Sequence, residues 1–180
     1  MQSTQKQVPT LQALHQGIQI ELQGLTFYRK AAELTADLKG RETLSSLAHE
    51  EVGHLHLLQV QYGSLTSRGQ WLDMERAREL EPGREVETLF PQADDTLARL
   101  LPAQADDVRA LEIALDFERG GYQMYQRLAQ ATDDPAGRAM YEFLGQQEQK
   151  HYDFIHRALE YLKTQGAWYF DEQEKPFFEG

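Results

Sequence analysis

The tetrapeptide Glu51-Val52-Gly53-His54 recurs 97 positions later as Glu148-Gln149-Lys150-His151, so the chain carries Glu-x-x-His twice. The residues around the two motifs repeat in the same register, because the segment 20–58 aligns without a gap with the segment that starts 97 residues further on. Two repeated units predict a pseudo-symmetric domain, since a solenoid needs at least about three repeats. The aligned pairs of identical residues include Glu21 and Glu118, Gly24 and Gly121, Tyr28 and Tyr125, and Gly40 and Gly137.

Each unit is predicted to form two helices, because its apolar residues recur at spacings of three and four. The short turns within each unit make its two helices antiparallel neighbours, and one long connection between the units is typical of a ferritin-like arrangement. We therefore predict an all-α, ferritin-like four-helix bundle of two pseudo-symmetric helix pairs with one long crossover. The predicted bundle spans residues 1–165, with helices over about 9–36, 39–63, 106–131 and 135–165, a crossover over 64–105 that includes a short helix over 71–80, and an aromatic and acidic tail over 166–180.

Composition and charge exclude several classes of function. The 180 residues contain no cysteine, which excludes disulfides, thiolate metal sites and iron–sulfur clusters. A net charge of −11 argues against nucleic acid and anionic membranes as partners. No apolar run approaches the ~18 residues of a membrane span, and the first residues do not resemble a secretory signal. Cytoplasmic localisation is therefore expected.

The apolar stripes of the four predicted helices are interrupted by carboxylate and imidazole side chains. Glutamate is almost never fully buried unless it is paired, and a buried carboxylate without compensation is very costly. No lysine or arginine lies on the stripes beside these residues, so a metal site is the simplest interpretation. A degenerate site or a buried polar network are the alternatives. The residues predicted to bind metal are Glu21, Glu51, His54, Glu118, Glu148 and His151.

The residue types indicate which metals the site would hold. Positions i and i+3 of a helix lie on nearly the same face, so each Glu-x-x-His motif can address one ion. Carboxylate and imidazole ligands suit iron or manganese, and two divalent cations would balance four carboxylates. Tyr28 and Tyr125 lie two turns beyond Glu21 and Glu118 and are predicted to orient these ligands.

Neighbouring polar residues are assigned simpler roles. Glu50 is interpreted as solvated or as an outer partner of the site, because its counterpart in the repeat is Gln147. Gly53, Gly120 and Gly121 lie inside helices, and close approach of a neighbouring helix is one interpretation of them that the sequence alone does not test. The remaining histidines lack a histidine counterpart and are predicted to lie at the surface: His15, His49, His56 and His156.

The sequence resembles the ferritin-like superfamily, and most closely its rubrerythrin-like members, over about residues 10–165. The resemblance rests on the segments 20–28, 51–54, 117–125 and 148–151. It implies a diiron centre that reacts with hydrogen peroxide or dioxygen, with the six residues above as ligands and Glu51 and Glu148 as bridging carboxylates. It also implies a homodimer and, because this chain has no cysteine-containing rubredoxin module, a separate electron donor.

Two departures from the rubrerythrin pattern, a missing glutamate and the missing rubredoxin module, keep a second interpretation open. Rubrerythrins usually have a further glutamate one turn from the residue that matches Glu118, where this chain has Leu115 and Gly121. The six-ligand set is also similar to that of bacterioferritin, which implies a ferroxidase or an iron-binding or iron-storage protein. Val52 follows Glu51 where bacterioferritin has a haem-binding methionine, so no haem is expected. The sequence does not separate iron from manganese or a mixed pair of metals.

Overall fold

The computed structural model describes residues 2–91 and 93–168, with side chains from residue 9 onward. These residues form six helices and one short 3-10 turn, and they contain no β-strand. No helix among them combines the length and apolar character needed to cross a bilayer. The elements are α1 (Gln2–Leu34), α2 (Leu38–Arg68), α3 (Met74–Glu79), α4 (Arg84–Leu89), the 3-10 turn (Ala98–Leu100), α5 (Asp107–Ala131) and α6 (Pro135–Gln165).

The four long helices form the predicted bundle, and the all-α, ferritin-like fold class is confirmed. Helix α1 packs mainly against α2, and α5 packs mainly against α6. Side-chain caps define where two of these helices begin: Asp37 accepts a hydrogen bond from the Gly40 N–H, and Asp134 accepts from the N–H groups of Ala136 and Gly137. Such caps satisfy backbone donors that have no partner inside the helix.

Two helix boundaries differ from the sequence prediction for physical reasons. Helix α1 begins at Gln2 instead of about residue 9, because a helix can continue through a proline such as Pro9 with the loss of one hydrogen bond. Helix α2 continues past Gly63 to Arg68 and ends at Gly69, which has a positive φ of 70°. Gly63 instead allows close packing, since a Cβ atom there would lie 3.1 Å from Val86.

The crossover contains more structure than the single predicted helix over 71–80. Asp73 caps α3, and α4 and the 3-10 turn follow before α5 begins. Buried residues of these elements, including Val86 and Phe90, join the bundle core. The crossover therefore packs against the side of the bundle.

The tail begins with a buried tryptophan. Trp168 is 5% exposed, packs against the bundle core, and donates a hydrogen bond of 2.7 Å from Nε1 to Asp107 Oδ2. Residues 169–180, which include the other aromatic residues of the predicted tail, lie outside the described residues.

The apolar core of the bundle consists of two layers that follow one another along the bundle axis. One layer contains Leu14 and Ile18 from α1 with Leu144 from α6, and the other contains Leu44 from α2 with Leu111 from α5. On α2, α5 and α6 the predicted metal-binding residues fall between the segments that contribute to these two layers, and on α1 Glu21 lies next to Leu22, the last residue that α1 contributes to the first layer. The charged residues are thus placed at mid-bundle with apolar side chains above and below.

Candidate metal centre

The structure brings all six sequence-predicted metal-binding residues together in the middle of the bundle. Helices α1 and α5 each contribute one glutamate, and α2 and α6 each contribute one Glu-x-x-His pair. Every one of these side chains is buried, with an exposed fraction of at most 5%. Four carboxylates and two imidazoles therefore share one buried site between the helices: Glu21, Glu51, His54, Glu118, Glu148 and His151.

These side chains form two overlapping groups of four. In each group, one potential ligand atom per residue lies within 4.8 Å of all the others. Glu51 and Glu148 belong to both groups, which is the position of a carboxylate that bridges two ions. The first group adds Glu21 and His54, and the second adds Glu118 and His151.

The first group is organised around the Nδ1 atom of His54. This atom lies 3.1 Å from Glu51 Oε2, 3.3 Å from Glu21 Oε2 and 3.8 Å from Glu148 Oε1. The i,i+3 spacing on α2 places the His54 imidazole beside its own motif's carboxylate.

The second group repeats this arrangement around the Nδ1 atom of His151. This atom lies 3.5 Å from Glu118 Oε2 and 3.9 Å from Glu51 Oε1. The two imidazole rings are stacked, with centroids 5.5 Å apart. The internal repeat of the sequence thus produces two equivalent half-sites that face each other.

Each of the two predicted tyrosines forms a hydrogen bond with a glutamate of the other helix pair. Tyr28 on α1 donates its hydroxyl hydrogen bond to Glu118 Oε1 on α5, and Tyr125 on α5 donates to Glu21 Oε1 on α1. Each bond occupies one carboxylate oxygen, and the other oxygen of the same carboxylate faces the histidine Nδ1 of its half-site. The tyrosines therefore orient the two non-bridging carboxylates.

Several buried atoms of the site have no hydrogen-bond partner among the described residues. They are Glu51 Oε1, Glu118 Oε2, both carboxylate oxygens of Glu148, and His151 Nδ1. An unpartnered buried polar atom costs about 1–3 kcal/mol, and more for a charged group. All five atoms belong to the two groups of potential ligands. Two divalent cations would satisfy these atoms and neutralise the carboxylates, so the donor set fits a dimetal site.

Protonation balances the charge when metal is absent. Burial raises the pKa of Glu51 and Glu148 well above the usual range, and repulsion from Glu21 and Glu118 respectively adds to this. Burial opposes the charged form of His151, but the carboxylates of Glu118, Glu50 and Glu51 together outweigh it and raise the pKa of His151 to about 10. Because metal ligands must be deprotonated, metal binding would displace these protons, and metal affinity would rise with pH.

Glycines make room for the two shared carboxylates. A Cβ atom at Gly24 would lie 3.0 Å from Glu51 Oε1, and one at Gly121 would lie 3.2 Å from Glu148 Oε2. These glycines are counterparts in the sequence repeat. The prediction of close helix approach is wrong for Gly53 and Gly120, because a Cβ atom there would meet nothing within 4 Å.

Glu50 is the residue whose role the sequence left open. Its Oε2 lies 3.0 Å from His151 Nε2, and its side chain is 15% exposed. It therefore contacts the ring nitrogen that faces away from the cavity, which fits the outer-partner interpretation. Its repeat counterpart, Gln147, cannot supply the same charge. Of the other histidines, His15, His49 and His156 are exposed and His56 is half-buried.

We expect Glu50→Gln to weaken the binding of one of two metal ions by about 10–100-fold, because a carboxylate behind a ligating histidine makes the imidazole a better ligand. Stepwise anaerobic titration with Fe(II) or Co(II) measures this effect. Glu42→Gln is the matched control, since Glu42 is an exposed glutamate on the same helix. Identical titration curves for the two variants would contradict the role of Glu50.

The family model for rubrerythrin matches residues 12–159 of the chain. The chain belongs to the rubrerythrin family. The match covers the four long helices from the middle of α1 to near the end of α6, and it includes all six potential ligands and both tyrosines. The family resemblance inferred from the two Glu-x-x-His motifs is thereby confirmed.

A comparison with solved structures supports the fold of this rubrerythrin-family chain. It is similar to a hypothetical protein from Pyrococcus furiosus, with a TM-score of 0.61 and 20% sequence identity over 86% of this chain and 90% of that chain. At this identity the similarity concerns the fold alone. No curated protein matches the chain.

Proposed function

We propose that the chain is a rubrerythrin-like diiron oxidoreductase that reduces hydrogen peroxide or dioxygen. The proposal is supported by two buried four-residue groups that share Glu51 and Glu148, and by five potential ligand atoms that have no hydrogen-bond partner among the described residues. Bound iron would supply one electron per ion and Lewis acidity to the reaction. Glu21 and His54 would hold one ion and Glu118 and His151 the other.

The protein residues around the site have distinct tasks in this proposal. Tyr28 and Tyr125 hold Glu118 and Glu21 in place through hydrogen bonds across the bundle. Glu50 holds the His151 ring through Nε2 and leaves Nδ1 turned towards the cavity. The apolar layers on either side exclude water, which strengthens the electrostatic interactions inside the site.

A ferroxidase of bacterioferritin-like type is the second candidate, and the environment of Gly121 favours it. Gly121 lies one turn from Glu118, at a position where rubrerythrins usually have a further glutamate. Here Glu148 Oε2 would lie only 3.2 Å from a Cβ atom at this position, so a longer side chain does not fit without displacing Glu148. The crowding at Gly121 therefore supports a six-residue ligand set among the described residues, which is the set that resembles bacterioferritin.

Stopped-flow absorption after anaerobic loading with Fe(II) separates the two candidates. The proposal expects about two irons per chain and a faster reaction with peroxide than with dioxygen. Faster oxidation by dioxygen, together with a large multi-subunit assembly on a sizing column, would favour the ferroxidase and storage function. The exposed-site variant His156→Ala is the control and should behave as the unmodified protein does. A homodimer and a separate electron donor stay predictions.

A further inference from the structure

Three aromatic rings connect the site to the protein surface on the α5/α6 side. Tyr125 donates its hydroxyl hydrogen bond to Glu21 at the inner end. Its ring stacks on that of Tyr141, with centroids 6.2 Å apart and an interplanar angle of 24°. The Tyr141 ring meets Trp71 edge-on, with centroids 5.8 Å apart. Both tyrosines are buried, whereas Trp71 is partly exposed.

Packing alone does not explain why residue 141 is a tyrosine. Its side chain is 1% exposed, and its hydroxyl has no hydrogen-bond partner within the described part of the chain. A buried hydroxyl without a partner destabilises the fold, so phenylalanine would be the more stable choice at this position. A phenol ring, however, gives up an electron more readily than a phenyl ring.

The other half of the bundle lacks this connection, although the repeat supplies matching positions. The counterpart of Tyr125 is Tyr28, and the counterpart of Trp71 is Trp168. The counterpart of Tyr141 is Leu44, which has no aromatic ring. Trp168 is also buried, at 5% exposure. Only the α5/α6 side therefore has a run of oxidisable rings from the site to a partly exposed indole among the described residues.

We propose that Tyr125, Tyr141 and Trp71 form an electron relay between the surface and the metal centre. This inference rests on the proposed function and concerns how the site obtains an electron that its metal cannot supply. Peroxide takes up two electrons, and two protons from the solvent, as its O–O bond breaks, and it yields two molecules of water. A centre with a single ferrous ion would supply one of these electrons, and Trp71 supplies the second.

The proton and the electron that move in this step each follow a path through named side chains. As Tyr125 loses an electron, its hydroxyl proton moves along the existing hydrogen bond to Glu21 Oε1. An electron from Trp71, passed through the Tyr141 ring, restores the Tyr125 phenol, and the proton returns. The Trp71 indole is left as a radical cation, which an external one-electron reductant restores. Without that reductant, two oxidised Trp71 indoles from separate chains react with one molecule of water, which gives one intact indole, one indole with an added oxygen atom, and two protons.

The test uses the full chain loaded anaerobically with one ferrous ion per chain and then mixed with one equivalent of peroxide. Freeze-quench electron paramagnetic resonance detects the organic radical, and peptide mass spectrometry locates the oxygenated residue. Iron content and peroxide consumption are measured in the same samples. Tyr141→Leu gives this half of the bundle the residue that the other half has at Leu44. Tyr125→Phe keeps the ring but removes its hydroxyl group, and it is the variant that tests the relay if Tyr141→Leu does not fold.

We expect an organic radical and an oxygenated Trp71 in the unmodified protein, and loss of both in Tyr141→Leu and Tyr125→Phe. Trp168 should stay unmodified in every sample. If Trp71 is oxygenated equally in the variants, a diffusible oxidant has attacked the exposed indole and the relay is wrong. If iron binds and peroxide is consumed without any radical or oxygenated Trp71, the relay is wrong but the proposed function stands. If the unmodified protein binds no iron, the relay and the proposed function are both wrong.

Discussion

A protein in which Glu51 is replaced by alanine is expected to lose both metal ions, not one. Glu51 belongs to both groups of potential ligands, with Oε2 3.1 Å from His54 Nδ1 and Oε1 3.9 Å from His151 Nδ1. Its loss removes a carboxylate from each ion and leaves three carboxylates in the cavity. Metal content after anaerobic loading and removal of free iron should fall from about two ions per chain to none.

Two comparisons make the Glu51→Ala experiment decisive. His156→Ala removes an exposed histidine from the same bundle and should leave the metal content unchanged. Thermal unfolding of the metal-free proteins shows whether Glu51→Ala still folds. We expect it to, because Glu51 Oε1 has no hydrogen-bond partner among the described residues and His54 Nδ1, which loses Glu51, keeps Glu21 Oε2 at 3.3 Å. A folded Glu51→Ala protein that retains two ions would overturn the assignment.

The second large effect concerns two glycines beneath tryptophan rings. Gly40 and Gly137 are counterparts in the repeat and lie in the first turns of α2 and α6. A Cβ atom at Gly40 would lie 2.3 Å from Trp168 Cε2, and one at Gly137 would lie 2.6 Å from Trp71 Cε2. An indole is a rigid ring, so alanine at either position must displace it.

We therefore expect Gly40→Ala and Gly137→Ala to lower the free energy of unfolding by about 1–3 kcal/mol each, as overpacking in a core does. Urea unfolding monitored by circular dichroism and tryptophan fluorescence measures the change. Gly53→Ala and Gly120→Ala are the matched controls, since their added Cβ atoms would meet nothing within 4 Å. These helix-interior controls should gain about 0.5–1 kcal/mol. Similar changes in all four variants would contradict the packing described here.

The two tryptophans extend the repeat and tie its halves together. Trp71 follows α2 and covers Gly137 at the start of α6, whereas Trp168 follows α6 and covers Gly40 at the start of α2. Both tryptophans come two residues after a helix-ending glycine with positive φ, Gly69 or Gly166. Each half of the bundle is thus closed by a residue from the other half.

The fold could be predicted because its signals are local and repeated. Helical spacing of apolar residues and caps such as Asp134 before Pro135 depend on neighbours in the sequence. The six potential ligands could be predicted for a related reason, since charged residues such as Glu118 and Glu148 interrupt an otherwise apolar stripe. The repeat then separates Glu51, which has a glutamate counterpart, from Glu50, which does not.

The remaining features depend on contacts between distant segments. The sequence predicts that the second helix ends at about Gly63, and it does not show that α2 continues to Arg68 with Val86 of the crossover packed against this glycine. It shows Glu50 beside Glu51, but not that the Glu50 carboxylate reaches His151 on another helix. The crossed pairing of Tyr28 with Glu118, and of Tyr125 with Glu21, likewise follows only from how the four helices are arranged.

Crystals grown with Fe(II) under anaerobic conditions give the most direct test of the central claim. Diffraction data collected on both sides of the iron absorption edge locate iron by its anomalous signal. The account predicts two peaks that share the carboxylates of Glu51 and Glu148, one beside His54 Nδ1 and the other beside His151 Nδ1. A cavity without an anomalous peak, or iron bound only at surface carboxylates, would contradict it.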